Sequence, residues 1–149
     1  MSGRLGLMAV QMSAGTTPVS TLVSNDMVQF SADASLLELS RAFADANVGL
    51  VILADADESM VGVVSERDLV RALADGRDLR TTSGREIAST ELAWCDTASP
   101  VAEVAQEMME RYIRHVLVEE DGRLVGVVSV RDLLGVYVAA DLCAVETLS

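Results

Sequence analysis

The sequence predicts an α+β fold built from two copies of one strand–helix–strand–strand–helix unit. The first observation is an internal duplication: residues 61–69 read VGVVSERDL and residues 125–133 read VGVVSVRDL. Eight of these nine positions agree at an offset of 64, and residue types with frequencies of roughly 5–10% do not produce such a match by chance. The second observation is that helix-like and strand-like apolar spacings follow one another in both copies. A repeat of about 60 residues buries little surface alone, so we expect the copies to pack through their sheets into one pseudo-two-fold module.

Each copy is expected to open with a short strand, near residues 27–30 and 92–95, followed by an amphipathic helix. Apolar residues spaced i, i+3 and i+7 form one buried stripe on such a helix. Ser35 and the dipeptide Ser99-Pro100 stand where a helix cap and a first-turn proline are favoured. The stripe consists of Leu36, Leu39 and Phe43 in the first copy and of Val101, Val104 and Met108 in the second.

A hairpin and a second helix complete each copy. Short runs rich in β-branched residues predict buried strands, because they are too brief for helices. Polar turns separate these runs from the returning strands. The predicted ranges are strands at 48–53 and 113–118, turns at 55–59 and 119–123, returning strands at 60–64 and 124–128, and helices at 66–75 and 130–142.

The limits of the copies define the predicted domain organisation. Residues 1–18 form an N-terminal tail, residues 19–80 the first repeat and residues 84–149 the second, with a polar connection between the repeats. A modestly apolar stretch at 5–12 faintly resembles a secretion signal, but a glycine and a glutamine interrupt it. No other stretch approaches the roughly 20 apolar residues of a membrane span. We therefore expect a cytoplasmic protein that does not contact a membrane.

The composition argues against several classes of function. The sequence contains eleven arginines and 23 acidic residues, which give a formal net charge of −12. A nucleic-acid backbone would therefore be repelled over most of the surface. Two cysteines and one histidine cannot supply a zinc site of the usual spacing or a disulfide framework. No nucleophile–base pair and no glycine-rich phosphate loop is recognisable. We therefore expect no metal, no required cofactor and no enzymatic activity.

The duplicated motif places Ser65 and Ser129 at the mouth of a helix, with Asp68 and Asp132 three residues later. This pattern is typical of a capping box, in which the serine accepts a hydrogen bond from an early backbone N–H and the acid reaches back to the amide of the cap. A helix N-terminus also directs unpaired N–H groups and the positive end of its dipole outward, where an anion can bind. Capping and ligand binding are therefore compatible roles for this motif.

The segment from about residue 19 to residue 142 resembles a pair of cystathionine β-synthase (CBS) domains, the tandem called a Bateman module, here as a stand-alone chain. The similarity rests on both copies of the duplicated motif, on the run IRHVLV at 113–118 and on the run DGRLVG at 121–126, and it covers more than four-fifths of the sequence. The resemblance implies two pseudo-symmetric clefts between the repeats. Such clefts hold adenosine compounds such as AMP, ADP, ATP or S-adenosylmethionine.

The resemblance also implies roles for the duplicated motif. Asp68 and Asp132 would bind the ribose hydroxyls, because an ionised carboxylate has two acceptor oxygens that can engage both hydroxyls at once. Ser65 and Ser129 would lie near the phosphates or the ribose. The segments ahead of each first strand resemble the adenine-side wall, with strand-start turns that bind no ligand as the alternative. The adenine-side candidates are Ser24, Met27, Ser89 and Leu92.

Phosphate recognition is expected to be unequal in the two copies. Arg114 and His115 precede a buried strand, where similar modules carry a phosphate-facing base, and the opposed first-copy positions hold Gly49 and Leu50. The alternative for His115 is a hydrogen-bonded structural role. For Arg131, and for its first-copy counterpart, ion pairing to a nearby acid competes with phosphate contact. Because a net charge of −12 disfavours a polyphosphate unless Mg²⁺ accompanies it, the favoured ligands are AMP and ADP.

The favoured function is a regulatory module that senses adenosine nucleotides and signals to a separate effector protein. The alternative is a ligand-free interaction and dimerisation scaffold with the same fold. The resemblance further implies a homodimer formed through helices, whereas packing inside the chain is the other interpretation of the same apolar faces. These faces carry Leu69, Val70 and Leu73 in the first copy and Leu133, Leu134, Val136 and Tyr137 in the second.

Overall fold

The computed structural model describes residues 14–23, 27–46 and 48–148, with side chains as far as residue 142. The strands are β1 (Gln29–Ser31), β2 (Leu50–Ala54), β3 (Met60–Ser65), β4 (Trp94–Asp96), β5 (His115–Glu120) and β6 (Arg123–Ser129). The helices are α1 (Leu36–Ala46), α2 (Glu66–Ala74), α3 (Gly84–Ile87), α4 (Val101–Arg111) and α5 (Val130–Leu148), and Val19–Thr21 forms a 3₁₀ turn. The predicted α+β class is confirmed. Within the described ranges, no helix combines the length and the apolar character that crossing a bilayer requires.

Two sheets of three strands share one topology. The strand order is β1-β2-β3 in the first sheet and β4-β5-β6 in the second. In each sheet the first pair of strands is parallel and the second pair is antiparallel. A parallel neighbour requires a crossover connection, which α1 and α4 provide, whereas an antiparallel neighbour needs only a hairpin. The identical order confirms that the duplicated sequence specifies a duplicated fold.

The second hairpin closes through a two-residue turn. Glu120 and Arg123 are partners at its end, and the intervening Asp121 and Gly122 have φ angles of 51° and 76°. Two positive φ angles are what a type I′ turn requires, and an Asp-Gly pair tolerates them best. The turn sets the register beside it, and an irregularity between Val118 and Glu119 then shifts the pairing by one residue toward the opposite ends of the two strands.

The chain divides into two compact units, which we call the first unit (within residues 26–92) and the second unit (within residues 1–25 and 93–149). The buried stripes predicted on α1 and α4 are confirmed, because all six of their residues lie in the hydrophobic cores of these units. Consecutive residues of the central strands β2 and β5 are buried although they point to opposite faces of the sheet, as expected for strands buried on both faces. The first core contains Leu36, Leu39, Phe43, Val51, Leu53, Val64 and Leu69, and the second contains Val101, Val104, Met108, Val116, Val118, Val128 and Leu133.

The segment ahead of the first sheet packs on the second unit. Val19 is fully buried in the second core, and its N–H donates to the Ser99 carbonyl at 2.9 Å. The N–H of Val101 in turn donates to the Thr17 carbonyl at 2.9 Å. The compact units therefore do not follow the order of the sequence copies at the N-terminal end.

The segment 84–89 packs on the first unit. The N–H of Gly84 donates to the Ala34 carbonyl at 2.8 Å, and Val63 and Ser89 exchange backbone hydrogen bonds of 3.1 and 2.9 Å. A Cβ at Gly62 would lie 2.6 Å from the Ser89 carbonyl oxygen. Only glycine therefore allows this segment to approach the edge of β3 so closely.

The first helix of each copy begins differently. Ser35 and Glu38 form a capping box, because the Ser35 N–H donates to the Glu38 carboxylate at 3.0 Å and the Glu38 N–H donates to the Ser35 hydroxyl at 3.2 Å. The prediction for Ser35 is confirmed. The prediction that Ser99 caps α4 is wrong: its hydroxyl accepts from the Asp96 N–H at 3.1 Å, and Pro100 occupies the cap position without a side-chain bond. Ser99 lies one residue too early, so its side chain closes the preceding turn.

Candidate functional site

The two Ser-x-x-Asp motifs form the same hydrogen-bonded box. In the first unit, Oδ2 of Asp68 accepts from the Ser65 N–H at 2.8 Å and from the Ser65 hydroxyl at 2.9 Å, and the Asp68 N–H donates to the Ser65 Oγ at 3.2 Å. In the second unit, Ser129 and Asp132 repeat these three distances. The predicted capping role of both serines is confirmed. All four side chains are half-buried, so the motif lies at the surface of each unit.

The box determines how much hydrogen-bonding capacity remains for a ligand. Oδ2 of each aspartate already accepts two hydrogen bonds, which fills its two lone-pair directions. Among the described residues, nothing donates to Oδ1 of Asp68 or Asp132. Each serine hydroxyl gives its only proton to the aspartate and retains one free acceptor direction. A sugar hydroxyl could therefore donate to Oδ1 or to the serine oxygen, whereas the serine has no proton left for a phosphate.

Basic residues adjoin the box in the second unit. His115 at the start of β5 is the cross-strand partner of Ser129 at the end of β6. The Arg114 carbonyl accepts from the Val130 N–H at 2.9 Å, which holds Arg114 beside the first turn of α5. The side chains of Arg114 and Arg131 are exposed, and that of His115 is half-buried. The hairpin register thus brings Arg114, His115 and Arg131 to the same end of the sheet as Asp132.

The first unit has the same backbone arrangement without these charges. Leu50 is the cross-strand partner of Ser65, and the Gly49 carbonyl accepts from the Glu66 N–H at 3.3 Å. Arg67 remains as the counterpart of Arg131, and both arginines are exposed. The predicted ion pairs of these two arginines are not formed within the described part of the chain. The difference between Arg114-His115 and Gly49-Leu50 is therefore the main chemical difference between the two boxes.

The adenine-side candidates are placed only in part. Ser89 pairs with Val63, two residues before Ser65 on β3, so it belongs to the same edge of the first unit as the first box. Met27 precedes β1 by two residues and is exposed, and Leu92 precedes β4 by two residues and is half-buried. Ser24 lies outside the described residues. The adenine-side assignments stay predictions.

Each unit also carries an open groove away from its box. A groove of about 510 Å³ in the second unit is lined by Val23, Thr97 and Glu120 near the turn of the second hairpin. A groove of about 660 Å³ in the first unit is lined by Phe30, Glu38 and other residues of β1 and α1. Among the predicted site residues that the structure describes, none lines either groove.

The described residues hold no cluster of three or more side chains suited to a metal ion. Cys95 is a free thiol. Burial raises the pKa of the Cys95 thiol to about 11, and the carboxylates of Glu107, Asp96 and Glu119 contribute to the shift. A thiol with this pKa is almost entirely protonated near neutral pH and is a poor nucleophile or metal ligand.

Two features of the first unit were not predicted from the sequence. Arg85 pairs with Asp33 at 3.3 Å and also with Asp55, and these hydrogen bonds, first to Asp55 and then to Asp33, raise the pKa of the guanidinium. This cluster fixes α3 against the first hairpin. The close approach of Ser89 to Gly62 is the other feature, and the recurrence of glycine at 62 and 126 is the signal that could have indicated it.

This chain is similar in sequence to a known domain family and to a curated protein. A family model described as the CBS domain matches residues 19–75 and 85–139. A curated but uncharacterised protein of Methanopyrus kandleri is 24% identical over 120 residues, which are 79% of this chain and 61% of that protein. The chain thus spans less than two thirds of that relative.

Two solved structures show the same fold at higher identity. A CBS-domain protein of Agrobacterium tumefaciens is 30% identical with a TM-score of 0.77, and the match covers 82% of this chain and 94% of the other. A CBS domain protein of Pyrobaculum aerophilum, described as complexed with AMP, is 32% identical with a TM-score of 0.73 and covers 85% and 99% of the two chains.

Proposed function

Because this chain belongs to the CBS domain family, we propose that it is a regulatory module that binds an adenosine nucleotide and signals to a separate effector protein. The observation that carries the proposal is the pair of identical Ser–Asp boxes, each with one carboxylate oxygen unpaired among the described residues. The similarity to a Pyrobaculum protein described as an AMP complex supports the ligand class.

The residues divide by the chemistry they can perform. Oδ1 of Asp68 and Oδ1 of Asp132 accept hydrogen bonds from ribose hydroxyls, which is a charge-assisted interaction. Ser65 and Ser129 accept on the ribose side, because their protons are committed to the aspartates. The two ribose hydroxyls therefore donate to Oδ1 and to the serine oxygen. The sequence analysis expected them to donate to the two oxygens of the carboxylate. Met27, Leu92, Ser89 and Ser24 are proposed for the adenine side.

Phosphate binding is proposed for the residues that adjoin the second box. Arg114, His115 and Arg131 share one sheet end with Ser129 and Asp132. An arginine at contact distance acts on a phosphate directly, whereas the rest of the surface charge is screened beyond about 8 Å at physiological salt. A net charge of −12 still disfavours the triphosphate without Mg²⁺. AMP and ADP are therefore the preferred ligands.

Thermal unfolding with a ligand panel tests this function. The panel contains AMP, ADP, ATP with and without Mg²⁺, S-adenosylmethionine, adenosine and inorganic phosphate. A ligand present at 100 times its Kd adds about 2.7 kcal/mol of stability, so at least one adenosine compound is expected to raise Tm while inorganic phosphate does not. A panel in which no compound shifts Tm would exclude the function.

A ligand-free dimerisation scaffold is the second candidate. Exposed apolar side chains on α2 and α5, among them Val70 and Leu134, favour a role in association. We propose a homodimer for both candidates, and no catalytic role for either. A cytoplasmic location is also proposed, as the compartment in which free adenosine nucleotides and a reduced Cys95 coexist.

A further inference from the structure

β1 is an edge strand of the first sheet, and its outer side is open. Among the described residues, only β2 pairs with it. Val28 and Ala32, which flank β1, bond to the backbone of β2 at 2.9 Å in each case. Because alternate residues of a strand direct their backbone groups to opposite sides, those of Gln29 and Ser31 point away from β2. An edge of this kind can pair with a further strand.

A groove of about 660 Å³ lies between this strand and α1. Phe30 lines it from β1, and Ala42 lines it from α1. Glu38 and Asp45 also belong to its lining, and they stand on either side of Ala42 because residues three and four apart are neighbours on a helix surface. The groove, which we call the β1 groove, is therefore apolar in its middle and acidic on both sides.

The acidic charges of the β1 groove are only partly neutralised by the described part of the chain. The lining includes three carboxylates and one guanidinium. Asp33 pairs with Arg85 at 3.3 Å, and Glu38 keeps one carboxylate oxygen outside its capping box. Arg41 and Asp45 form no ion pair with any described residue. Basic side chains of a partner would complement this rim.

The equivalent edge of the second unit is closed by a hydrogen bond. β4 corresponds to β1, and the Asp96 N–H donates to the Ser99 hydroxyl at 3.1 Å. In the first unit, Ala34 occupies the position of Ser99 and has no hydroxyl. The N–H of Ser31, which corresponds to that of Asp96, is therefore left for an added strand.

A larger side chain also replaces Ala42 in the second unit. Glu107 occupies the equivalent position and pairs with Arg111 at 3.0 Å. Burial and then the Glu107 carboxylate raise the pKa of the Cys95 thiol, which indicates that Glu107 lies close to Cys95. Cys95 is the equivalent of Phe30. A side chain therefore stands in the second unit where the first unit has an open groove.

We infer that the β1 groove binds an extended segment of a partner protein, which adds to the edge of β1 as a fourth strand. The segment carries an apolar side chain over Phe30 and Ala42, with basic side chains two residues away on either side, because side chains two apart share one face of a strand. A second copy of this chain is a poorer occupant, since its own β1 would bring Glu38 and Asp45 against the same carboxylates. The inference gives a docking site to the effector of the proposed function, and it rests on that function for the existence of an effector.

Fluorescence anisotropy with a labelled peptide tests the surface on the full chain. The probe is a capped heptapeptide of sequence TRTVTRT, in which the valine and both arginines share one face. We expect saturable binding to the wild type and about tenfold weaker binding to Ala42→Gln, because the longer side chain fills the groove without adding charge. Ala44→Gln should bind like the wild type, since Ala44 is exposed on the same helix and does not line the groove. A probe that does not bind, or equal losses in the two variants, would overturn the inference.

Charge variants test the acidic rim. Asp45→Asn is expected to weaken probe binding about threefold, as the loss of one exposed ion pair does. Glu110→Gln makes the same change in net charge at the equivalent position of the second unit and should leave probe binding unchanged. A probe with glutamates in place of both arginines should bind more weakly than the original. Equal binding of the two probes would contradict the proposed partner chemistry.

Backbone methylation of the probe tests strand addition. Only every second N–H of an added strand points toward β1. Probes methylated at successive backbone nitrogens should therefore lose binding at alternate positions. Losses without this alternation would show that side chains alone hold the peptide, and they would contradict a fourth strand.

Sedimentation velocity tests the other occupant of the groove. Self-association of the wild type that Ala42→Gln abolishes and Ala44→Gln preserves would assign the β1 groove to a second copy, and it would overturn the inference of a different partner. Self-association that is the same in the wild type and in Ala42→Gln supports the inference, because the groove then stays available to the probe.

Nucleotide titration of the same samples separates this inference from the proposed function. Ala42→Gln is expected to bind AMP with the affinity of the wild type, because no predicted site residue that the structure describes lines the β1 groove. A wild type that binds the probe but no nucleotide leaves the docking surface supported and the proposed function wrong. A wild type that binds AMP but not the probe leaves the sensing role supported and the docking surface wrong.

Discussion

Oδ2 of Asp132 accepts two hydrogen bonds from Ser129, one from the backbone N–H at 2.8 Å and one from the hydroxyl at 2.9 Å. The same two bonds join Asp68 to Ser65. One oxygen of each carboxylate therefore holds the helix start, and the other is left for a ligand. This division predicts that capping and ligand binding can be weakened separately.

Ser129→Ala is expected to lower stability more than it lowers ligand affinity. The loss of the cap should cost about 1 kcal/mol in the free energy of unfolding, whereas Oδ1 of Asp132 keeps its position through the remaining bond to the backbone N–H. AMP affinity should fall by less than about tenfold, since one neutral hydrogen bond contributes about 1 kcal/mol. Urea denaturation and calorimetric titration measure the two effects.

Ser35→Ala is the matched control for this prediction. Ser35 forms a capping box with Glu38, but none of the candidate ligand-binding residues belongs to that box. Its replacement should reduce stability by about the same 1 kcal/mol and leave AMP affinity unchanged. If Ser35→Ala weakened AMP binding as much as Ser129→Ala does, the effect of Ser129 would be a general loss of stability.

Arg114→Gln is expected to weaken AMP binding without weakening adenosine binding. The side chain of Arg114 is exposed and its backbone is bonded to the first turn of α5 beside the second box, so we expect its loss to remove a charge-assisted contact with phosphate. The expected loss of AMP affinity is about tenfold, near the lower limit for such a bond. Calorimetric titration with both ligands provides the measurement.

Arg123→Gln removes the same charge from the other end of the same hairpin. Arg123 is exposed at the start of β6, beside the two-residue turn. Both variants have the same net charge, so AMP affinity should be nearly unchanged in Arg123→Gln. Equal losses in the two variants would mean that the overall charge, and not a local contact, determines phosphate affinity.

The parts of the fold with a regular period were predictable. The stripes of α1 and α4 and both hairpins follow from apolar spacing. Because the sequence is duplicated, an element predicted in one copy also supported the prediction of its counterpart in the other. The turn Val19–Thr21 and the helix α3 are shorter than one apolar period, and their packing is non-local. Val19 is buried in the second core by residues about 80 positions away in the sequence. The local spacing of apolar residues does not predict such long-range packing.

The candidate site was predictable as a set of residues but not as a set of bonds. The motif indicated a capping box, but the pairing of His115 with Ser129 depends on a register shift between Val118 and Glu119, which the Asp-Gly turn alone does not predict. The sequence did not reveal that Oδ2 of each aspartate is already occupied. On α5, apolar residues lie on all sides, so spacing could not separate the buried Leu133 from the exposed Leu134.

Gly62→Ala is expected to destabilise the first unit. A Cβ at this position would lie 2.6 Å from the Ser89 carbonyl oxygen, and that segment cannot move away without breaking its two bonds to Val63. The expected cost is about 1–3 kcal/mol, measured by urea denaturation. Gly15→Ala is the control, because its Cβ would lie 3.4 Å from that of Ala102, an ordinary contact. Equal stability of Gly62→Ala and the wild type would contradict the close approach.

Cys95 is expected to react slowly with iodoacetamide in a Cys143→Ser background. Burial raises the pKa of its thiol from 9.0 to about 11, and two pKa units reduce the thiolate fraction about a hundredfold at pH 8. The rate should keep increasing up to about pH 11. Since the folded state holds this proton more tightly than the unfolded chain, the thiol stabilises the fold below pH 9 and loses this contribution as the pH rises toward 11. A rate that levels off near pH 9 would exclude the shifted pKa.

Calorimetric titration of AMP into the wild type, Asp132→Ala and Asp68→Ala tests whether these two carboxylates bind the nucleotide. We expect saturable binding to the wild type and an affinity about ten- to a hundredfold lower in Asp132→Ala, since a charge-assisted hydrogen bond contributes about 1.5–3 kcal/mol. Asp68→Ala should have a smaller effect on AMP, because no basic residue equivalent to Arg114 adjoins the first box. Equal AMP affinity in the wild type and in folded Asp132→Ala would contradict the claim that this carboxylate binds the nucleotide.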